Sequence, residues 1–242
     1  MNNKKIKYEF NIVPTKKNTT FYWQLEFTRN AHSVLEIGCS NGFLSNYLVK
    51  RGSYVVGVEI DPVAGKQAQL AGNRVIIGNI EDRDIQEEIK EKFDAVLLGD
   101  VLEHLKTPQD LLEKIRDFWL NSEGWAVISI PNSAHWVFRR EVFLGHFPYR
   151  QYGLFDETHL RFFTRKSINK LFEASGFIIA EYRNLANFNE QEDITFKLLT
   201  VLHKNRIIHR VLNQFELLLV KILPDLFAYQ MVFLIRPAKN KD

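Results

Sequence analysis

The stretch "VLEIGCSNG", residues 34 to 42, sets a carboxylate, two glycines and a serine directly behind an apolar run. Glycines at this spacing let the backbone turn tightly and come close to a ligand. Two phosphate-binding patterns are excluded. A phosphate-cradling loop needs GxxxxGK[ST], and no lysine stands at that place. A dinucleotide turn needs GxGxxG, whereas Gly38, Ser40 and Gly42 make GxSxG with Cys39 inside it. Glu36, on the run leading into the turn, would repel a pyrophosphate. It can accept hydrogen bonds from an ammonium and balance a sulfonium. Taken singly, Gly38 and Gly42 read equally well as ordinary turn glycines.

Two further positions complete the pattern. Glu59 closes the next apolar run, "YVVGVEI", where a carboxylate can take both hydroxyls of a ribose, with Ile60 beside it. Asn79 follows "VIIG" and can offer its side chain to an adenine, with the backbone of Ile80 at the ring edge. The plainer readings are a solvated strand end for Glu59 and a cap for Asn79. In this order the groups describe an adenosine ligand that carries an amino acid, S-adenosylmethionine.

The elements that must position these residues are legible from residue 33 to residue 182. "SVLEIG", "YVVGVEI", "RVIIGNI", "FDAVLLGD" and "WAVISIP" read as strands. Helical patterns stand between most of them: "FLSNYLVKRG" with Gly52 at its end, "PVAGKQAQLAG" with Pro62 in its first turn, and "TPQDLLEKIRDFWL". The last opens with Thr107 as the expected cap, Pro108 at the first position and Asp110 three residues after the cap. Such alternation predicts an α/β fold with a doubly wound, mostly parallel sheet. "TRKSINKLFEASGF" predicts a capped helix ending at Gly176, "FIIAEY" a strand, and "FAYQMVFLIRP" a last strand. Residues 131–163 break the pattern with aromatics and histidines and read as a functional excursion.

With these motifs the chain resembles class I S-adenosylmethionine-dependent methyltransferases, from about residue 30 to 182 and again in the last strand. It looks most like a bacterial branch with "GDVLEHL" after strand four and "DETHLRFFT" before the late helix. The resemblance implies a Rossmann-like seven-stranded sheet with the last strand antiparallel. It further implies that Glu36, Gly38 and Gly42 hold the methionine end, Glu59 the ribose, Asn79 and Ile80 the adenine, and that Asp100 borders the methyl. Ser40 in place of a middle glycine and Asn79 in place of an aspartate depart from the family pattern. Both keep hydrogen-bonding capacity.

A hydroxyl acceptor must lose a proton, and histidine suits that near neutral pH. His159, flanked by Asp156, Glu157 and Arg161, is expected as base or substrate anchor, with His104 second. Each also has a plain reading as a hydrogen-bonded structural histidine. Arg161 binds an acidic substrate group or pairs with Asp156 or Glu157, the pairing being favoured. Trp136 and Tyr152, with Phe138, Phe147 and Tyr149, form an apolar or sugar-stacking wall or simply pack together. His135 and His146 carry no stronger claim than loop histidines in general. The acceptor is expected to be a small molecule or glycan hydroxyl. A small amine acceptor and a cofactor-binding partner subunit without turnover stand as alternatives. A nicotinamide dehydrogenase is disfavoured by the missing GxGxxG. Amine methylation of nucleic-acid bases is set aside because "GDVL" stands where NPPY or DPPY would, and cytosine-C5 chemistry because Cys39 lies in the cofactor loop. No metal is expected. Asp100 alone does not make the acidic cluster of a metal-assisted enzyme, although Asp156 and Glu157 keep the question open.

The 242 residues suit one domain, 45% apolar and 25% charged. A net charge of +3 indicates no nucleic-acid partner. The lone Cys39 excludes an intrachain disulfide and a cysteine metal cluster. The opening "MNNKKIKYEF" does not read as a signal peptide, and "LLLVKILPDLFAYQMVFLI" is broken by Lys221, Pro224 and Asp225, so a cytoplasmic setting is expected. Residues 194–223 form an amphipathic helical insertion before the last strand, with Lys197, His203, Lys204, Arg206, His209 and Arg210 in its first half. Packing over the sheet edge is its first reading. A homodimer contact or a membrane-surface patch is the alternative.

Overall fold

A computed structural model of the chain describes residues 17–71, 74–186, 214 and 217–239. Its centre is a seven-stranded sheet in the order β3-β2-β1-β4-β5-β7-β6. The strands are β1 (Ser33–Ile37), β2 (Tyr54–Glu59), β3 (Arg74–Ile77), β4 (Phe93–Gly99), β5 (Leu120–Pro131), β6 (Phe177–Leu185) and β7 (Gln230–Pro237). Strands β1 to β5 pair in parallel, and β7 runs antiparallel to both β5 and β6. The last strand is antiparallel, as expected.

Near-continuous apolar strands follow from burial on both faces. Successive side chains point to opposite sides, so Val34 joins a cluster with Ala95, Leu97 and Val127, while Leu35 and Ile37 join another with Val56, Val96 and Leu98. The first face is covered by α1 (Thr20–Phe27) and α2 (Phe43–Lys50), through Leu25, Leu44 and Leu48. The second is covered by α5 (Pro108–Lys114) and α7 (Arg165–Ala174), through Leu111, Leu112, Ile168 and Phe172. Two shorter-range helices, α3 (Pro62–Leu70) and α4 (Arg83–Glu87), flank β3. The α7 helix has the expected start: Thr164 and Ser167 form a reciprocal capping box, and Gly176 turns the chain at φ +76°.

Local signals miss in two places. Thr107 makes no side-chain cap to α5; its hydroxyl and backbone N–H both donate to Glu81, which also accepts from the N–H of Lys106. The tertiary partner outcompetes the cap and ties the loop after β3 to the loop after β4. The excursion 131–163 contains a helix, α6 (Trp136–Phe143), followed by a single 3-10 turn at Gly153–Phe155. Its base is closed by Ser133 N–H donating to the Phe163 carbonyl (2.8 Å). Of the amphipathic segment, only 214 and 217–223 lie among the described residues; there Val220 packs with Ala186 and Ala228, ahead of the short helix α8 (Pro224–Phe227). The basic residues of its first half lie outside them. Among the described residues no helix is long and apolar enough to cross a membrane.

Candidate active site

The strand order reverses between β1 and β4, so the crevice outside their carboxyl ends is where an open α/β sheet binds its ligand. The first wall of that crevice is the turn after β1. Gly38 (φ +77°), Ser40 (φ +48°) and Gly42 (φ +78°) are all left-handed, a conformation that glycine adopts without strain and serine rarely does. A Cβ on Gly38 would meet Val101 at 2.7 Å, so the turn and the loop after β4 touch only because no side chain is there. Ser40 is held in place by its N–H, which donates to Glu59 Oε2 (2.7 Å). The other oxygen of Glu59 accepts from the Asp61 N–H (2.8 Å). A carboxylate has about four acceptor positions, so Glu59 keeps capacity to receive a hydroxyl. Burial raises the Glu59 carboxyl, and the backbone N–H groups of Asp61, Ser40 and Ile60 oppose that rise.

Glu36 lies on the face of β1 that carries Val34 and is 5% exposed. Ser45 of α2 donates its hydroxyl to Glu36 Oε2. Desolvation is the main cause that pushes the Glu36 carboxyl from an ordinary 4.5 to about 8, and the like charge of Glu59 adds to it. A buried acid with an acidic neighbour is a place where a cationic ligand group restores the charged form. The residues therefore fit the ammonium end of S-adenosylmethionine.

The remaining expected positions divide. Asp100 (φ +54°) is pinned: Ser129 donates to its Oδ1 (2.8 Å) and Gln230 to its Oδ2 (2.9 Å). Asn79 accepts the Glu81 N–H (3.0 Å) through its side chain, a local turn ahead of α4, whose N-cap position is Asp82 rather than Asn79. Ile80 buries its side chain in the main core and its carbonyl accepts from the Gln86 amide (2.8 Å), and Ile60 stands 66% exposed. Cys39 is placed otherwise than as a side-chain contact. It packs with Ala68 and Val75, its thiol is pushed up by burial, and a Cβ on Gly57 would meet its sulfur at 2.6 Å.

The second wall is assembled over a long sequence separation. A 3-10 turn, Leu102–His104, follows β4. Its Glu103 carbonyl accepts the N–H groups of Leu160 (2.9 Å) and Arg161 (3.0 Å) from the excursion. The two histidines meet there, with ring centroids 4.8 Å apart at 66°. His104 Nδ1 lies 3.1 Å from the Thr158 carbonyl, and Thr158 in turn donates its N–H (2.8 Å) and hydroxyl (2.6 Å) to buried Asp156. Arg161 donates to the Lys106 carbonyl rather than pairing with Asp156 or Glu157. Trp136 is half-buried under the Arg140 guanidinium (5.4 Å), and Tyr152 stands 37% exposed. Phe138, Phe147, Phe155 and Phe162 pack on one another and hold the excursion together. His135 caps α6, accepting the Val137 N–H, and His146 lies beside Glu141.

Two participants escape the motif reading. Glu103 is 1% exposed, and burial, with Asp100 and Asp156 near, holds its carboxyl well above the usual range. Its only sequence signal is an acidic residue among apolar ones in "DVLEHL". Ser129 links the Gln24 amide (3.0 Å) to Asp100, a relay across three elements that no local pattern announces.

Comparison with known proteins agrees with this geometry. A family model described as a methyltransferase domain matches residues 13–182. The chain is 34% identical over 83 residues to the ubiquinone biosynthesis O-methyltransferase of Pseudomonas syringae pv. tomato (33% of this chain, 36% of the relative). To the enzyme of that name from Nitrosomonas europaea it is 29% identical over 104 residues (41% and 44%). The matches thus span less than half the length of these relatives. Among solved structures, a SAM dependent methyltransferase from Archaeoglobus fulgidus superposes with a TM-score of 0.57 at 18% identity, covering 90% of this chain and 93% of that one. The magnesium protoporphyrin IX methyltransferase of Synechocystis, with bound SAH, gives 0.55 at 15% identity over 88% and 78%. The chain belongs to the methyltransferase-domain family, and its fold is that of the class I S-adenosylmethionine-dependent enzymes.

Proposed function

We propose that the protein transfers the methyl group of S-adenosylmethionine to a hydroxyl oxygen of a small molecule, a saccharide or a related hydroxylated metabolite, in a cytoplasmic setting. One observation carries the reading. The left-handed turn locked onto Glu59 touches, through Gly38 and Val101, the very loop that presents the His104–His159 pair. A cofactor wall and an acceptor wall thus meet at the reversal of strand order. The curated relatives, named as O-methyltransferases, favour oxygen over nitrogen.

The cofactor, when bound, supplies a methyl carbon on a positively charged sulfur. Glu36 then holds the ammonium, Glu59 the ribose hydroxyls, and the backbone at Ile80 the adenine edge. Asp100, fixed by Ser129 and Gln230, borders the reacting carbon. The acceptor hydroxyl is anchored at the histidine pair, with Trp136, Tyr152 and Arg161 on the acceptor side. Its oxygen forms a bond to carbon as the carbon–sulfur bond breaks, and its proton leaves at the histidine pair. Positioning and exclusion of water supply most of the rate. The test is a panel of hydroxylated and amine-bearing small molecules incubated with cofactor, read by mass spectrometry for a methyl added to the acceptor. Methylated hydroxyls are expected. Methylation confined to amines, or none with any acceptor, overturns the reading.

A further inference from the structure

A second cleft opens at the other end of the sheet, on the face that α1 covers. It is half open, holds about 450 Å³, the size of a small-molecule site, and lies between the end of α1 and the strands β5, β7 and β6. Trp125 stands at the amino end of the pairing between β5 and β4, opposite Ala95, and Arg236 near the close of the antiparallel β7. The crevice after β1 and β4 lies at the carboxyl ends of the strands. A molecule seated in the second cleft is therefore distinct from the methyl acceptor.

Two arginine–tryptophan stacks line it. The Arg183 guanidinium lies over the Trp23 ring at 4.4 Å and over Phe27 at 5.5 Å, and that of Arg236 lies over Trp125 at 5.3 Å. Both indoles are anchored by the backbone. Trp23 donates its ring N–H to the Lys17 carbonyl (2.8 Å) and Trp125 donates to the Phe27 carbonyl (2.9 Å). With those donors taken, the rings offer the cleft an apolar surface, and Leu234 adds to it. A guanidinium stacked on a ring keeps its N–H edge in its own plane, in the geometry that forks onto a carboxylate.

The charges of the lining do not cancel. Glu26 pairs with Arg29 (3.1 Å) and Glu181 pairs with Arg183 (2.9 Å). Arg236 donates to the Glu123 carbonyl (3.1 Å), which carries no charge, and it meets no carboxylate among the described residues. One positive charge is left over, on an aromatic wall that is already in place before any ligand arrives. We propose that this cleft binds a small aromatic carboxylate, its ring against the two indoles and its charge on Arg236. A neutral apolar molecule leaves the guanidinium edge unused, and a polyanion faces Glu26 and Glu181. A single negative charge on a flat apolar body matches both the leftover charge and the rings. The inference stands apart from the methyl-transfer reading and does not depend on it.

The experiment titrates the full-length, nitrogen-15-labelled protein with benzoate, 1-naphthoate and indole-3-acetate, following the indole N–H signals by nuclear magnetic resonance. The chain has four tryptophans, Trp23, Trp119, Trp125 and Trp136, each assigned by its own Trp→Phe variant. Saturable shifts at Trp23 and Trp125 are expected for at least one of the three carboxylates, with Trp119 and Trp136 unmoved. Arg236→Met is expected to weaken that binding at least about tenfold, and the uncharged amide of the same acid to bind more weakly by a similar factor. Dispersion of the remaining amide signals reports that the variant is folded. No saturable shift with any of the three up to about 10 mM overturns the site. So do equal binding by folded Arg236→Met, equal binding of the amide, and a shift confined to Trp136, which would place the carboxylate at the excursion instead.

Discussion

The two walls of the crevice are built differently. The proposed cofactor wall is made of short loops that each follow a parallel strand, and its key contact, Ser40 to Glu59, joins neighbouring strands. The proposed acceptor wall depends on contacts such as His104 to Thr158, across 54 residues, and on a loop with its own aromatic core. The first wall is imposed by backbone geometry at the ends of strands and tolerates little change. The second is a grafted segment, free to vary in acceptor without disturbing the sheet.

Substitutions separate the walls. The largest effect is expected from His159→Ala, a fall in turnover of about 100-fold or more at saturating cofactor, while cofactor affinity by calorimetry stays put. A loss of cofactor affinity there would merge the walls. Next, Glu36→Gln removes the carboxylate assigned to the ammonium, and S-adenosylmethionine binding is expected to weaken by roughly 10- to 100-fold. Acceptor affinity measured at saturating cofactor should hold.

The same residue gives a pH signature. Its folded pKa of about 8 lies above an ordinary 4.5, so between those values the folded chain keeps a proton that the unfolded chain has released. The cofactor-free protein is therefore expected to lose stability as pH rises through that window and to level off above it. Thermal melts from pH 5 to 9 should show a slope that Glu36→Gln removes; equal slopes would place the charge elsewhere. Cofactor binding at pH 7 should also release a proton, read as a buffer-dependent binding enthalpy.

A smaller effect tests the joint between the walls. Ser129→Ala breaks the relay from Gln24 to Asp100 and should cost about 1–2 kcal/mol of stability in denaturant titration. The mildest is Asp156→Asn, which loosens Thr158 behind His104. It should raise the acceptor KM a few-fold and leave the cofactor Kd alone.

Most of the sheet and the turn of the proposed cofactor wall were legible in the residues themselves. Burial on both faces makes parallel strands read as apolar runs, and a turn that must go left-handed calls for glycine, as at Gly38 and Gly42. Both effects act within a few residues, so type and spacing carry them. Ser40 marks the edge of that legibility. Its left-handed backbone is held by Glu59, a partner on the neighbouring strand.

Tertiary structure alone decided the rest. Thr107 looked like a cap and instead binds Glu81; Arg161 looked like half of an ion pair and instead binds a carbonyl. Cys39 occupies the predicted loop, but its thiol turns into the packing under β2. Glu103 drew no notice in sequence because its unusual property, a buried carboxylate with no hydrogen-bond partner among the described residues and two histidines beside it, exists only after residues 156–163 fold back over the loop after β4. Short-range geometry is written into neighbouring residues, whereas burial, and the charge balance it imposes, belongs to the whole fold.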